Sequence, residues 1–441
     1  MADTQYPATL GGIMSRLNRR DLMKSVLVAG GAVAWAGYGR APRSFAQGTT
    51  TLSQWYHEYG EAGTQDAALR YAQAYTTEAD GNPNVSIEMV WNPGDYAAKL
   101  NAALLTPDGP DIYENGGITS AVVNANQAVP LNDLLTPEIM ADFSPLSIQV
   151  NQFGDNIYGI KMVNDTGVIY YRKSLLEAAG VTPPTTMDEL IAASTALGTG
   201  RQKGLFIGND GGISAFLTLL PQSGGSQFLD GNQVVFNNER TVLAYQKLVE
   251  LNQSGSLLTG APVEWFDPSS FTQGLVAMQW CGLWAMPQIQ RDLGEDFGVI
   301  PWPKLDATGT PVTFFGGWTQ YVNGNRPNVD LAKEFVNWLW VQRTDFQTDW
   351  NLAYGFHVPP RNSVAAAATA LQSGPALEVV NILGQYGQIL PPTWTATMGT
   401  ILQDAVTGVV QGGGDISAAL TDAQTQIEAE VQRQATPVAV R

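Results

Sequence analysis

The sequence predicts an α/β fold divided into two large lobes, and three observations predict it. Segments whose apolar residues alternate with period two are followed by segments with helical 3.6-residue spacing, and strands that alternate with helices form parallel sheets covered by helices on both faces. The chain has 441 residues. That is roughly three average domains of about 150 residues, but α/β chains of this size more often form two large lobes. No Gly/Ser-rich or Pro-rich linker separates two consecutive halves, so the chain is expected to pass between the lobes more than once.

The elements follow in order. The apolar start Leu52 to Tyr56 reads as a strand. Ala68, Tyr71, Ala72 and Tyr75 fall at i, i+3, i+4 and i+7, one face of a helix. Val85, Ile87, Met89 and Trp91 then alternate with Ser86, Glu88 and Val90, the pattern of a largely buried strand. Asp95 is expected to cap a helix that turns Tyr96, Leu100, Ala103 and Leu104 inward. Gly109-Pro110-Asp111 is a turn into a short strand at Ile112-Tyr113. Further on, Thr186-Met187-Asp188-Glu189 has capping-box spacing and starts a helix through Leu197. Asp330 is read as the cap of a helix carrying Leu331, Phe335, Trp338 and Leu339. Asp415, after Gly412 to Gly414, opens the last long helix with Ile416, Leu420, Ala423 and Ile427 on one face. In sheets of this kind ligands bind beyond the carboxyl ends of the strands, so the strand exits are the first places to look.

Residues 1–46 read as an export signal. Asn18-Arg19-Arg20-Asp21-Leu22-Met23-Lys24 precedes an apolar run from Ser25 to Ala36, and small residues at Ser44 and Ala46 suit cleavage before Gln47. The run is about 12 residues long, where a membrane-spanning helix needs about 20. The paired arginines resemble the twin-arginine signal, which implies export of a folded protein. No cysteine lies near the cleavage point, so a free, non-lipidated periplasmic protein is expected.

Composition excludes much chemistry. With 23 Lys and Arg against 40 Asp and Glu, the formal net charge is −17, and no basic cluster lies beyond residue 43 to grip a polyanion. The first 46 residues hold six basic and two acidic residues, so the exported chain would carry 17 against 38, a net charge of −21. Nucleic acid is therefore not an expected partner. Cys281 is the single cysteine, which excludes an intrachain disulfide and a Cys-rich zinc site. A His-based metal site would need both His57 and His357 to converge. No metal or cofactor is expected.

Five segments in order then carry a family resemblance. They are Leu52-Ser53-Gln54-Trp55-Tyr56 with Gly94-Asp95-Tyr96 and Gly109-Pro110-Asp111-Ile112; Gly167-Val168-Ile169-Tyr170-Tyr171-Arg172-Lys173-Ser174-Leu175-Leu176 with Pro183-Pro184-Thr185-Thr186; Phe271-Thr272-Gln273-Gly274 through Gly282-Leu283-Trp284; Gly316-Gly317-Trp318 with Leu331-Ala332-Lys333-Glu334-Phe335; and Pro391-Pro392 before the terminal helices. From about Thr51 to Glu428 the chain resembles the carbohydrate-binding, family 1 solute-binding proteins of ABC importers, the group that includes maltose-binding protein. The resemblance implies a two-lobed periplasmic-binding-protein fold of type II with a multi-crossing hinge. It places an N-terminal lobe at 47–163 plus 318–375 and a C-terminal lobe at 164–317 plus 376–441. It also places the crossings near Met162 to Asp165, near Phe314 to Gly317 and between about Ala367 and Val380. A ligand would be held between the lobes and delivered to permease subunits in the membrane, by a protein expected to be a monomer and not an enzyme.

A sugar offers apolar C–H faces and a belt of hydroxyls, so its site needs flat aromatic rings and fixed donors and acceptors. Trp284 and Trp318, with Gly317 beside it, match family positions that border the cleft. Trp394 lies where relatives also place an aromatic, and Trp265 sits in an apparent loop. For all of these, and for Trp55, the alternative is a core tryptophan; Trp338 and Trp340 are assigned to packing. His57, Glu58 and Tyr59 follow the first strand and Glu114 and Asn115 follow the Ile112 strand, both positioned to project into the cleft. Asn164 and Asp165 precede the most characteristic run, where relatives often carry a ligand-binding polar residue. Asp210 either faces the ligand or caps the helix containing Phe216. Tyr354 is a candidate edge contact, whereas Arg361 is assigned to a salt bridge. Carboxylates would repel an acidic sugar, so a neutral mono- or oligosaccharide is the expected ligand. A cationic solute or peptide on the same fold is the alternative. A secreted glycoside hydrolase, which would need two of Glu58, Glu114 and Asp165 as its carboxylate pair, is the weaker third. Gly212-Ile213-Ser214-Ala215-Phe216 fails as a nucleophile elbow, and no phosphate-cradling loop is present.

Overall fold

The computed structural model describes residues 49–354 and 356–435, so the export signal predicted at 1–46 lies outside the described residues. Strand β1 (Thr50–His57) leads through helix α1 (Thr64–Thr77) to β2 (Val85–Asn92), and through α2 (Tyr96–Ala103) to β3 (Ile112–Asn115). After several short helices come β4 (Gly159–Lys161), β5 (Gly167–Tyr171), α3 (Met187–Leu197), β6 (Lys203–Phe206) and α4 (Glu239–Gln253). The chain continues with β7 (Val276–Gly282), β8 (Gly298–Ile300), β9 (Thr319–Val322) and α5 (Val329–Asn337). It closes with α6 (Gly374–Tyr386), α7 (Ala396–Val410) and α8 (Ile416–Ala435).

Two sheets organise two α/β lobes. The first has strand order β2-β1-β3-β9-β4, with β1 parallel to β2 and β3 and with β9 antiparallel to both β3 and β4. The second has order β8-β5-β7-β6, with β7 parallel to β6 and β5 antiparallel to both β7 and β8. The wholly parallel sheet expected from the strand-helix alternation is thereby corrected to two mixed sheets. A parallel neighbour needs a crossover helix, whereas β5 and β9 enter their sheets directly from the opposite lobe and so run against the strands that leave toward it.

Local chemistry sets the element ends. Thr186 and Glu189 form a complete capping box at the start of α3: the Thr186 hydroxyl accepts from the Glu189 amide at 3.3 Å, and the Glu189 carboxylate accepts from the Thr186 amide at 3.3 Å. Asp95 accepts from Ala98 N at 3.0 Å and Asp415 from Ala418 N at 2.7 Å, each capping the helix it precedes. Asp330 is a correction. Asn328 occupies the cap position of α5, and Asp330 lies in the first turn, where its charge meets the positive end of the helix.

Separate cores pack on the two sheets. Leu52, Tyr56, Tyr71, Tyr75, Ile112, Phe335, Trp338 and Trp340 pack on the first. Successive residues of β5 divide between two cores on the second, Ile169 toward Leu190, Met278 and Trp302, and Val168 and Tyr170 toward Val276 and Cys281. Each fully buried side chain of this size contributes about 1.5–3 kcal/mol. Cys281 is wholly buried with Sγ 3.4 Å from the Phe266 carbonyl, and burial pushes its thiol well above the ordinary value.

Paired backbone segments join the sheets. Gly316 N donates to the Asp165 carbonyl at 2.8 Å, Asn164 and Val358 exchange hydrogen bonds of 2.9 and 3.0 Å, and Thr313–Phe314 runs parallel to Gly387–Gln388. Gly317 has φ +87°, and a Cβ there would stand 2.2 Å from the Val163 carbonyl oxygen, so only glycine fits. This turn delivers the Trp318 carbonyl to Met162 N at 2.9 Å.

Candidate functional site

The exits of β1 and β3 lie side by side and converge on one carboxylate. Glu114 is fully buried; its Oε1 accepts from His57 N at 2.6 Å and lies 2.5 Å from His57 Nδ1, while its Oε2 accepts from the Tyr59 hydroxyl at 2.8 Å. The Tyr96 hydroxyl donates to the Glu114 carbonyl at 2.9 Å. A buried carboxylate so furnished has its desolvation offset. Burial first, then the charge of Glu114, pushes the Tyr59 hydroxyl well above its ordinary range, so it stays a donor. Since Glu114 occupies Nδ1, His57 has Nε2 left as its other polar atom. The imidazole itself lies between two rings, 3.9 Å from Tyr59 and stacked 4.1 Å from Trp318. One face of Trp318 is therefore covered by His57.

A second pair forms at the crossing. His357 Nδ1 lies 2.7 Å from Asp165, and its Nε2 lies 3.5 Å from Glu61. Burial alone would lower the His357 pKa, but Asp165 and Glu61 outweigh it and push it up to about 10, an imidazolium at neutral pH. Glu61 is held below the usual carboxylate range although burial opposes this, because His357 bonds it and His57 adds its field.

The second lobe supplies rings. Directly after Asp165, the Thr166 carbonyl accepts from Leu283 N at 3.3 Å, which sets Trp284 at the end of β7 against the crossing. Trp284 Nε1 donates to the Phe266 carbonyl at 3.0 Å, and its ring meets Trp265 edge-on at 5.9 Å. Trp265 stacks on Trp280 at 4.2 Å, Trp280 on Trp302 at 5.4 Å, and Trp302 on Phe216 at 3.9 Å. A ladder of rings thus rises from the core to the half-buried Trp265 and Trp284.

The other predicted residues lie elsewhere or do other work. Asn164 is buried and accepts from Ser147 Oγ at 2.9 Å; Asn115 accepts from Gly116 N at 2.8 Å; Glu58 is exposed. Asp210 accepts from the amides of Gly212 and Ser214 at 2.9 and 2.8 Å, the bonds that the capping alternative calls for. Trp394 is 6% exposed and edge-on to Phe228 at 5.0 Å, and it lines a cavity of about 290 Å³ with Gly117, Phe314 and Gln388. The Tyr354 hydroxyl accepts from Arg70 at 3.2 Å, which ties it to α1. Arg361 pairs with Asp142 at 2.6 Å. The sequence reading missed Glu61 and Tyr96, and it weighed His357 only as a metal ligand; Glu61 and His357 meet partners far away in the chain, and Tyr96 meets Glu114 18 residues on. A cavity of about 670 Å³ between Gln149 and Gln388 includes none of the predicted residues.

Known proteins resemble this chain in sequence and fold. A probable ABC transporter-binding protein of Deinococcus radiodurans is 26% identical over 248 residues, covering 52% of this chain and 56% of that protein. A probable amino-acid ABC transporter periplasmic-binding protein of Sinorhizobium fredii is 25% identical over 211 residues, 45% of this chain and 47% of that one. The chain thus spans about half the length of these curated relatives. The structure of an ABC transporter solute-binding protein from Thermotoga lettingae bound with α-D-tagatose superposes with a TM-score of 0.72 at 18% identity, over 87% of this chain and all of that one. That family consists of binding proteins rather than enzymes, and residues 61–339 match it: the chain belongs to the bacterial extracellular solute-binding proteins.

Proposed function

We propose that this protein is the extracytoplasmic binding component of an ABC importer, and that it captures a neutral mono- or oligosaccharide between its lobes for delivery to permease subunits. The observation that carries the reading is the wall built from Trp318, His57 and Tyr59 on Glu114, facing the crossing with Asp165, beyond which stand Trp284 and Trp265. Rings suit the C–H faces of a sugar, and the polar edges of histidine, tyrosine and carboxylate suit its hydroxyls. The tagatose complex of a protein with the same fold supports the sugar class. The twin-arginine pattern and the lack of a cysteine near Gln47 support export without a lipid anchor. Lobes at 47–163 plus 318–375 and 164–317 plus 376–441, acting as a monomer, would close about the crossing strands.

The acidic residues Glu61, Glu114 and Asp165, together with the amino-acid transport relative, favour a cationic solute or peptide as the second reading. A thermal-shift screen of neutral sugars, uronic acids, polyamines and short peptides separates the two, because a ligand that binds only the native state raises the melting temperature. A rise with one neutral sugar series, lost in Trp318→Ala and Asp165→Ala and indifferent to salt, is expected. A rise only with amines or peptides, collapsing with salt, would sink the sugar reading.

A further inference from the structure

Lys161 is 1% exposed, and its Nζ has no hydrogen-bond partner. An amine taken out of water without a partner is strongly destabilising while charged, and burial pulls its pKa down to about 7 even though the charge of Asp165 opposes this. Its position is specific. Lys161 is the last residue of β4 and stands directly opposite the fully buried Thr319, the first residue of β9. Opposed residues on antiparallel strands project from the same face. The chain then runs straight into the crossing, since Met162 N takes the Trp318 carbonyl. The Lys161 ammonium lies 5.3 Å from the ring centre of Phe315, which packs in the core of the second sheet. By its strand the residue belongs to one lobe and by its ring contact to the other, so its amine lies where the two meet, within the field of Asp165.

Packing and pairing do not account for it. The Asp165 oxygen nearest to a cation is on His357. A cation-π contact offsets only part of the desolvation of a buried ammonium. Methionine would fill the same space with no polar atom to bury.

We propose that Lys161 contacts the solute, its amine and the Thr319 hydroxyl receiving two neighbouring hydroxyls of the bound sugar at the inner end of the interlobe site. This rests on the sugar reading above. An amine donates to hydroxyl oxygens and the threonine can donate or accept, so the pair suits a vicinal diol, and a cationic solute would be repelled. The solute reaches the amine while the lobes are apart.

The test is titration calorimetry of the full chain with the neutral sugars that raise its melting temperature, in the wild type, Lys161→Met and Lys161→Gln, and with each monodeoxy analogue. In both variants affinity falls on the order of tenfold or more. Lys161→Met without sugar melts no lower than the wild type, since a buried amine has been removed. The monodeoxy analogue lacking the contacted hydroxyl binds the wild type weakly but binds Lys161→Met as well as the parent sugar does, the coupling expected of a direct contact. Wild-type affinity in both variants, or equal loss from every deoxy analogue in wild type and variants, overturns the inference and leaves the sugar reading standing. A wild type that binds only amines or peptides overturns both.

Discussion

Glu114 is the residue on which the first wall depends. Replacing it with alanine strands the Tyr59 hydroxyl and the His57 donors in a buried place, which should cost about 3 kcal/mol or more in urea denaturation. Glu114→Gln should cost less, because an amide oxygen still accepts. His357 and Lys161 give opposite pH signatures. His357 is raised from 6.5 to about 10, so its contribution is fully present below pH 6.5 and is lost as pH climbs toward 10. Lys161 is lowered from 10.5 to about 7, so its penalty is present below pH 7 and is relieved as pH rises toward 10.5. The groups that face these two are Asp165 and Glu61 for His357 and Asp165 for Lys161. Between pH 7 and 10 the melting temperature of His357→Gln, taken relative to wild type, should rise, and that of Lys161→Met should fall. Absence of either slope in differential scanning fluorimetry would refute the corresponding ionisation.

At the scale of elements, what was legible in the sequence was local. The capping box of α3 and the caps at Asp95 and Asp415 depend on residues three or four apart, and such spacings are written in the chain. Thr186→Ala should therefore cost about 1 kcal/mol, read as a shift of the urea midpoint with unchanged slope. The direction of β9 was not legible, because a strand's sense follows from where the chain enters the sheet rather than from its own pattern. The same limit hid the partners of Trp394 and Tyr354, both aromatic residues in loop-like sequence that turn out to be held by Phe228 and by Arg70. Gly317→Ala should cost about 1–3 kcal/mol in backbone strain. By pushing Val163 away it should also displace Trp318, so melting temperature and ligand affinity should fall together.

For the whole molecule, the α/β class, the two lobes and most of one wall were readable, because His57, Tyr59 and Glu114 follow neighbouring strand ends. The opposite wall was only half visible. Trp284 carried a recognisable motif, but the pairing of His357 with Asp165 spans 192 residues, and Lys161 reads in sequence as one more strand residue until its burial is known. The indole ladder from Trp302 through Trp280 to Trp265 has an optical consequence. Stacked indoles couple their transitions, so the near-ultraviolet circular dichroism of this protein should carry a strong exciton band, and excitation should migrate along the stack to the rings nearest solvent. A solute settling on Trp265 or Trp284 would then quench or shift emission gathered from the whole ladder, giving the protein a label-free reporter of its own occupancy.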